Sequence, residues 1–79
     1  MEKKIKIYGL PSCGKCHSVV KTLREDFGFE VDYELNFDVV VAKGRQHGVL
    51  AVPFAEHEGV FVKNDDLNAF IKELATHES

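Results

Sequence analysis

The stretch that decides the fold is residues 5–16, which read IKIYGLPSCGKC. Its apolar beginning, Ile5 to Tyr8, predicts a short β-strand, and the residues after Cys16 have the spacing of a helix. The Gly-Leu-Pro-Ser segment between them predicts a turn. Cys13 and Cys16 are the only cysteines of the chain, and both lie where the strand passes into the helix N-terminus.

This placement predicts a reactive dithiol. A thiol at a helix N-terminus lies among unpaired backbone N–H groups at the positive end of the helix dipole, so its thiolate is stabilised and its pKa falls. Cys13 is therefore the expected nucleophile. One helix face, at i, i+3, i+4, i+7 and i+11, collects Cys16, Val19, Val20, Leu23 and Phe27. Cys16 is expected to face the core and to act as the resolving thiol.

Other uses of the same cysteines have to be weighed. A structural disulfide across two residues closes a very short loop, which gives close to the least stabilisation a disulfide can supply. His17 completes the Cys-x-x-Cys-His pattern of covalent haem attachment. A chain of this size, with its predicted order of strands and helices, offers no haem pocket. A closed tetrahedral zinc site would need two ligands beyond Cys13 and Cys16, from scattered histidines or from a second subunit.

Size and composition limit the possible functions. With 79 residues, the chain has room for one domain over positions 1–79. The net charge of −3, with scattered lysines, argues against nucleic acid as a partner. No apolar run approaches the ~20 residues that span a bilayer, and the first residues lack the apolar stretch of a secretory signal. We therefore expect a cytoplasmic monomer that binds no membrane, in a compartment where thiols are kept reduced.

The next two elements complete a β-α-β unit. The first helix is predicted to end at Gly28, because glycine favours the left-handed conformation found after helix ends. A strand with strict alternation follows, its apolar positions being Phe29, Val31, Tyr33 and Leu35. Alternation of this kind is typical of an edge strand with one solvated face. The two strands are expected to be parallel.

The second half is predicted to add a weak helix, a hairpin and a final helix. The helical signal over Asp38–His47, with Asp38 as its cap, is weak because three consecutive valines and a glycine are poor helix formers. Ala51 to His57 predicts a strand entered through Pro53, which Glu58-Gly59 turns back into a hairpin. Asn64 or Asp65 is expected to cap the final helix. The apolar face of that helix contains Leu67, Phe70, Ile71 and Leu74.

Three motifs in this order resemble a known family. They are residues 11–16 (PSCGKC), the Val52-Pro53 dipeptide, and residues 64–67 (NDDL). Together with the order β-α-β-(α)-β-β-α, they are similar to the small glutaredoxin-like redoxins of the thioredoxin-fold superfamily. The resemblance covers essentially the whole chain. It implies an α/β thioredoxin-like fold with a four-stranded mixed sheet flanked by helices.

The resemblance also implies an activity, that of a thiol–disulfide oxidoreductase that carries electrons to protein disulfides without a bound cofactor or metal. Cys13 would attack the substrate disulfide and Cys16 would resolve the mixed disulfide. The Val52-Pro53 peptide bond would be cis, and the backbone of Val52 would dock an extended substrate. Ribonucleotide reductase is one candidate substrate, as it is for similar small redoxins.

Departures from the family pattern bear on the electron donor. Glutaredoxins carry a Gly-Gly pair where this chain has Val62-Lys63-Asn64, and a threonine is frequent where this chain has Ala51. Side chains at the glycine positions oppose close approach of a glutathione backbone. The donor is therefore expected to be a thioredoxin-reductase-like flavoprotein or another dithiol, with glutathione as the alternative.

Two more residues are candidate substrate contacts. The Lys15 cation lies between the cysteines, where it could favour the thiolate or attract an anionic partner; the simpler interpretation is a solvated lysine. Tyr8 could line the rim of the dithiol site or be a core aromatic residue. Two functions compete with the redox carrier: a metal or iron–sulfur module built on the same thiols, and an adaptor without redox activity.

Overall fold

The computed structural model describes residues 3–49 and 51–78, with side chains up to residue 76. Within these residues the fold is α/β, with four strands and three helices in the predicted order. The elements are β1 (Lys4–Tyr8), α1 (Gly14–Glu25), β2 (Glu30–Glu34), α2 (Phe37–Gln46), β3 (Phe54–His57), β4 (Val60–Val62) and α3 (Asn64–Glu78). None of the helices in the described part of the chain is long and apolar enough to cross a membrane.

The strands form one mixed sheet in the order β2-β1-β3-β4. Strand β1 is central: it pairs with β2 in parallel and with β3 in antiparallel orientation. Strand β2 lies at the edge, as its strict alternation predicted. The Arg24 guanidinium donates a hydrogen bond of 3.0 Å to the Val31 carbonyl on this edge strand. One backbone acceptor of an edge strand is thereby satisfied within the chain.

The sheet is covered by apolar side chains on both faces. Helices α1 and α3 pack on one face, and α2 packs on the other. The cluster on the first face is formed by Ile5, Ile7, Val19, Val20, Leu23, Phe27, Phe29, Val31, Ala55, Leu67 and Leu74. The smaller cluster on the second face is formed by Tyr8, Val40 and Phe54. Because side chains alternate along β1, Ile7 lies in the cluster on the first face and Tyr8 in the cluster on the second.

Helix α1 ends at Glu25, earlier than the predicted end at Gly28. The N–H of Asp26 donates to the carbonyl of Thr22, and the N–H of Phe29 returns to the carbonyl of Leu23 over 2.9 Å. Gly28 has a φ of 68°, a conformation in which glycine has no steric penalty. Gly28 therefore turns the chain out of a helix that has already ended.

Helix α2 begins at Phe37, because its cap is Asn36 and not the predicted Asp38. The Asn36 Oδ1 atom accepts the N–H groups of Asp38 and Val39 over 3.0 and 3.3 Å. Glycine has a low helix propensity, but at position 44 a glycine is needed because the backbone at Val49 packs directly against it. A Cβ at Gly44 would lie 2.5 Å from the carbonyl oxygen of Val49, so a side chain there has no room.

The second half shows two further differences from prediction and one agreement. Strand β3 begins at Phe54, not at Ala51, since Pro53 has no N–H for the ladder. Asn64 is already the first residue of α3, so neither Asn64 nor Asp65 is its cap. The hairpin is as predicted, and both of its turn residues have a positive φ, 53° at Glu58 and 78° at Gly59.

A polar network joins α2 to the two central strands. The Tyr8 hydroxyl donates to Glu56 Oε1 over 2.5 Å, and Lys43 Nζ lies 3.0 Å from Glu56 Oε2. The hydrogen bond from Tyr8, followed by the contact with Lys43, lowers the pKa of the Glu56 carboxyl against an opposing effect of burial. Burial and the bond to Glu56 raise the pKa of the Tyr8 phenol, which therefore stays protonated and donates.

We predict that Glu56→Gln removes a pH-dependent part of the stability. The folded-state pKa of Glu56 is below the unfolded value, so the carboxylate stabilises the fold at neutral pH and loses this effect as the pH falls through the lowered pKa. The variant should be less stable than wild type by ~1–3 kcal/mol at pH 7. The difference should shrink below about pH 4. Denaturant unfolding at both pH values measures it.

Glu30→Gln is the matched control. Glu30 is also a strand carboxylate, but its side chain is 76% exposed and lies 3.9 Å from Lys4. Its substitution should change stability by less than ~0.5 kcal/mol at either pH. Equal behaviour of the two variants would contradict the role assigned to Glu56.

Candidate functional site

Cys13 and Cys16 are joined by a disulfide bond at the N-terminus of α1, with their Cα atoms 5.3 Å apart. Cys13 is the N-cap residue, and its Sγ accepts the N–H of Cys16 over 3.2 Å. Cys13 is partly exposed, whereas Cys16 has no exposed surface. The sequence-based placement of Cys16 in the core is thus confirmed. An accessible sulfur and a buried sulfur are linked at the helix end.

A tight turn carries Cys13 into the helix. The N–H of Cys13 donates to the carbonyl of Leu10 over 3.0 Å, which makes Pro11 and Ser12 the two central residues of a β-turn. Proline is favoured at the first central position because its φ is already set. Both central residues are exposed, so the turn presents Cys13 at the surface.

The electrostatic setting of Cys13 comes mainly from backbone. The first turn of α1 contains no acidic side chain, so nothing there offsets the positive end of the helix dipole. Lys15 is exposed, beside a shallow groove whose other wall includes Lys72 of α3. The exposure of Lys15 agrees with the simpler of its two interpretations, in which it is a solvated lysine without a role at the dithiol.

The loop before β3 lies next to the turn that carries Cys13. The Val52-Pro53 peptide bond is cis, and Pro53 is buried. Tyr8 pairs with Phe54, so continuing the register by one residue sets Pro53 across from Gly9. Leu10 and Val52 line the same apolar cavity of about 130 Å³. Its other walls are Phe37, Val40, Val41, Val49 and Phe54.

Gly9 is a residue of the site that the sequence did not single out. A Cβ built on Gly9 would lie 2.8 Å from Cys16 Cβ, 2.9 Å from Cys16 Sγ and 3.1 Å from a ring carbon of Tyr33. These atoms belong to packed side chains, so a substituent cannot be accommodated without movement. A glycine at the end of the central strand is the signal that could have found it.

His17 and Tyr33 also belong to the surroundings of the dithiol. His17 is hydrogen-bonded to the Pro11 carbonyl and to the Tyr33 hydroxyl, over 2.8 and 3.0 Å. The sequence had drawn attention to His17 only through the haem-attachment pattern. Residues 3–49 and 51–78 contain no group of three or more His, Cys, Asp or Glu side chains placed to hold a metal ion.

Tyr8 occupies the second of its two predicted positions, that of a core aromatic residue. It is 3% exposed, and its ring stacks on that of Phe54 with the centroids 5.0 Å apart. Its hydroxyl is bonded to Glu56, and Lys6 Nζ lies 5.2 Å from the ring centroid. These contacts hold Tyr8 against strand β3, and its low exposure leaves little surface for a substrate to contact.

The chain was also compared with known proteins. No protein-family model, no curated protein and no solved structure matches it.

We predict that Gly9→Ala displaces Cys16 and destabilises the fold by ~1–3 kcal/mol, the usual cost of overpacking. Gly14→Ala is the matched control, because a Cβ at Gly14 meets nothing within 4 Å. The control should be neutral or stabilising by up to about 1 kcal/mol. Denaturant unfolding of the oxidised proteins measures both changes. Equal stability of the two variants would show that Gly9 does not need to be a glycine.

Proposed function

We propose that this protein is a small dithiol–disulfide oxidoreductase, an electron carrier that reduces disulfides in other proteins through Cys13 and Cys16. One observation carries the proposal: two cysteines form a disulfide at a helix N-terminus, with the first accessible and the second buried. The element order and the mixed sheet are compatible with a thioredoxin-like fold, which we propose as its family. Cytoplasmic location and a monomeric state remain part of this proposal.

The reaction follows from the different exposure of the two sulfurs. In the reduced protein the Cys13 thiolate attacks one sulfur of a substrate disulfide. A mixed disulfide forms and the other substrate sulfur leaves as a thiolate. The Cys16 thiolate then attacks Cys13 Sγ, the Cys13–Cys16 disulfide forms, and the second substrate thiolate leaves. Two electrons pass to the substrate, and an external dithiol or flavoprotein reductant must return them.

The backbone around Cys13 supports this order of attack. In the oxidised protein Cys13 Sγ already accepts the N–H of Cys16. The same N–H, together with the helix dipole, would stabilise a thiolate at Cys13 and lower its pKa. The sulfur of Cys16 is covered by Gly9 and the sheet, so a protein disulfide reaches Cys13 first.

The loop at Val52 is the proposed docking segment for substrate backbone. Within residues 3–49 and 51–78, no backbone hydrogen bond joins Val52 to another residue. We propose that its N–H and C=O groups pair with an extended peptide, as in strand addition. The apolar cavity shared by Leu10 and Val52 would receive a side chain beside the scissile disulfide.

We predict that Cys13→Ser abolishes reduction of insulin disulfides, whereas Cys16→Ser accumulates a mixed disulfide with the substrate. The reason is that only Cys13 is accessible for the first attack, and only Cys16 is placed to resolve the product. Turbidity of reduced insulin measures the activity, and mass spectrometry of the acid-quenched reaction detects the mixed disulfide. Full activity of Cys13→Ser would contradict the role assigned to Cys13, whereas an inactive wild-type protein would exclude the redox function and favour an adaptor.

The electron donor is a separate prediction. Lys63 is exposed and Asn64 opens α3, so both carry side chains where a Gly-Gly pair would allow close approach of glutathione. Glutathione with glutathione reductase should therefore support at most slow, unsaturated turnover. Thioredoxin reductase with NADPH should support faster turnover in the same insulin assay. Rapid, saturable turnover with glutathione would contradict this assignment and leave the redox function standing.

A further inference from the structure

The side chain of His17 links two elements that border the dithiol. Its Nε2 atom lies 2.8 Å from the carbonyl oxygen of Pro11, and its Nδ1 atom lies 3.0 Å from the hydroxyl of Tyr33. The His17 and Tyr33 rings meet edge to face, with centroids 5.6 Å apart and an interplanar angle of 83°. We refer to His17, Tyr33 and the Pro11 carbonyl as the His17 clamp.

The direction of both hydrogen bonds follows from elementary chemistry. A carbonyl oxygen can only accept, so Nε2 of His17 carries a proton and donates to Pro11. In the neutral ring Nδ1 then accepts, and the Tyr33 hydroxyl donates. Burial raises the pKa of the Tyr33 phenol, which keeps that proton in place. In the protonated ring Nδ1 donates to the phenol oxygen, so both bonds persist in either state of His17.

The His17 clamp holds the turn at Pro11. Pro11 is a central residue of the turn that the N–H of Cys13 closes on Leu10. Tyr33 belongs to strand β2, and its ring lies against Gly9, which in turn covers Cys16. The clamp therefore fixes the turn that carries Cys13 to the edge of the sheet.

We propose that His17 and Tyr33 are positioning residues for Cys13, an inference that rests on the proposed redox function of the dithiol. In the oxidised protein the bond to Cys16 holds Cys13 at the end of α1. Reduction removes that covalent restraint. The His17 clamp then keeps the turn in place, so Cys13 Sγ remains at the N-cap, where the helix N-terminus stabilises its thiolate.

A merely structural role would have a different signature. His17 is exposed on the first turn of α1, and exposed hydrogen bonds contribute little to global stability. Loss of the clamp should consequently change the ionisation and reactivity of Cys13 more than the unfolding midpoint. Alkylation of Cys13 in the reduced protein reads this out directly, because only the thiolate reacts.

The test compares four variants and one control variant with the reduced wild-type protein. His17→Phe keeps a ring and removes both hydrogen bonds, whereas Tyr33→Phe removes one. The double variant tests whether Tyr33 acts through His17. His17→Gln supplies an uncharged N–H donor and an oxygen acceptor. Iodoacetamide alkylation is followed from pH 4 to pH 9, with mass spectrometry to locate the label on Cys13, and each variant is also unfolded in denaturant.

We expect His17→Phe to slow alkylation at mildly acidic pH by about two- to five-fold, the size of a helix-terminus effect, and to move the alkylation midpoint to higher pH. Tyr33→Phe should give a smaller change, and the double variant should match His17→Phe. His17→Gln should restore most of the wild-type rate. His47→Phe is the matched control, since His47 stacks on Phe61 with the centroids 3.9 Å apart, and it should leave the profile unchanged.

Two results would overturn the proposal. An unchanged alkylation profile in His17→Phe, with or without a lower unfolding midpoint, would make the clamp a structural contact only. A slowed reaction that His17→Gln fails to restore would assign the effect to the charge of His17 and not to positioning. Alkylation needs no substrate disulfide, so an inactive wild-type protein in the insulin assay would refute the proposed function without deciding this test.

Discussion

The contact between Cys16 and the end of strand β1 is the constraint on which the site depends. Cys16 has no exposed surface, and a Cβ built on Gly9 would lie 2.8 Å from the Cβ of Cys16. Helix α1 can approach the sheet this closely only because a glycine directly follows the strand. The approach sets where the helix begins, and so where Cys13 meets solvent. Any side chain at Gly9 would push the helix tip, and both sulfurs with it, away from the sheet.

Because β1 is a central strand, the contact between Gly9 and Cys16 affects the segments on both sides of it. Strand β1 pairs with β2 on one side and with β3 on the other, so Gly9 lies between strand β2, which contains Tyr33, and the loop before β3, which contains Pro53. The dithiol, the cis-proline loop and the His17 clamp therefore meet at the same end of the sheet. Segments far apart in the chain are brought together there because each one flanks the same strand end.

The two faces of the sheet differ in how they are stabilised. The face under α1 and α3 is apolar throughout its described cluster, which is where most of the hydrophobic stabilisation arises. The face under α2 has a smaller apolar cluster and adds the bonds of Glu56 to Tyr8 and Lys43. The Glu56 carboxylate is kept ionised by these partners. Helix α2 is thus held to the sheet by a polar contact as well as by packing.

Local patterns in the sequence were sufficient for the element order and for the different positions of the two cysteines. Period-two alternation marked β2, helical spacing put Cys16 in the core, and Glu58-Gly59 predicted the hairpin. These features depend on neighbours within a few residues, so they can be read without knowing the fold. The cis bond at Val52-Pro53 was expected only from the family resemblance.

Tertiary structure decided the remaining features, because their causes lie far away in the chain. Gly44 is accepted in α2 because the carbonyl of Val49 passes over it. Tyr8 is held in the core by Glu56, 48 residues later, and His17 is bonded to Tyr33, 16 residues later. No periodicity links such pairs. They meet only when β2 pairs in parallel and β3 pairs in antiparallel orientation with β1. The local sequence predicts that β1 is a strand, but it does not specify which strands pair with it.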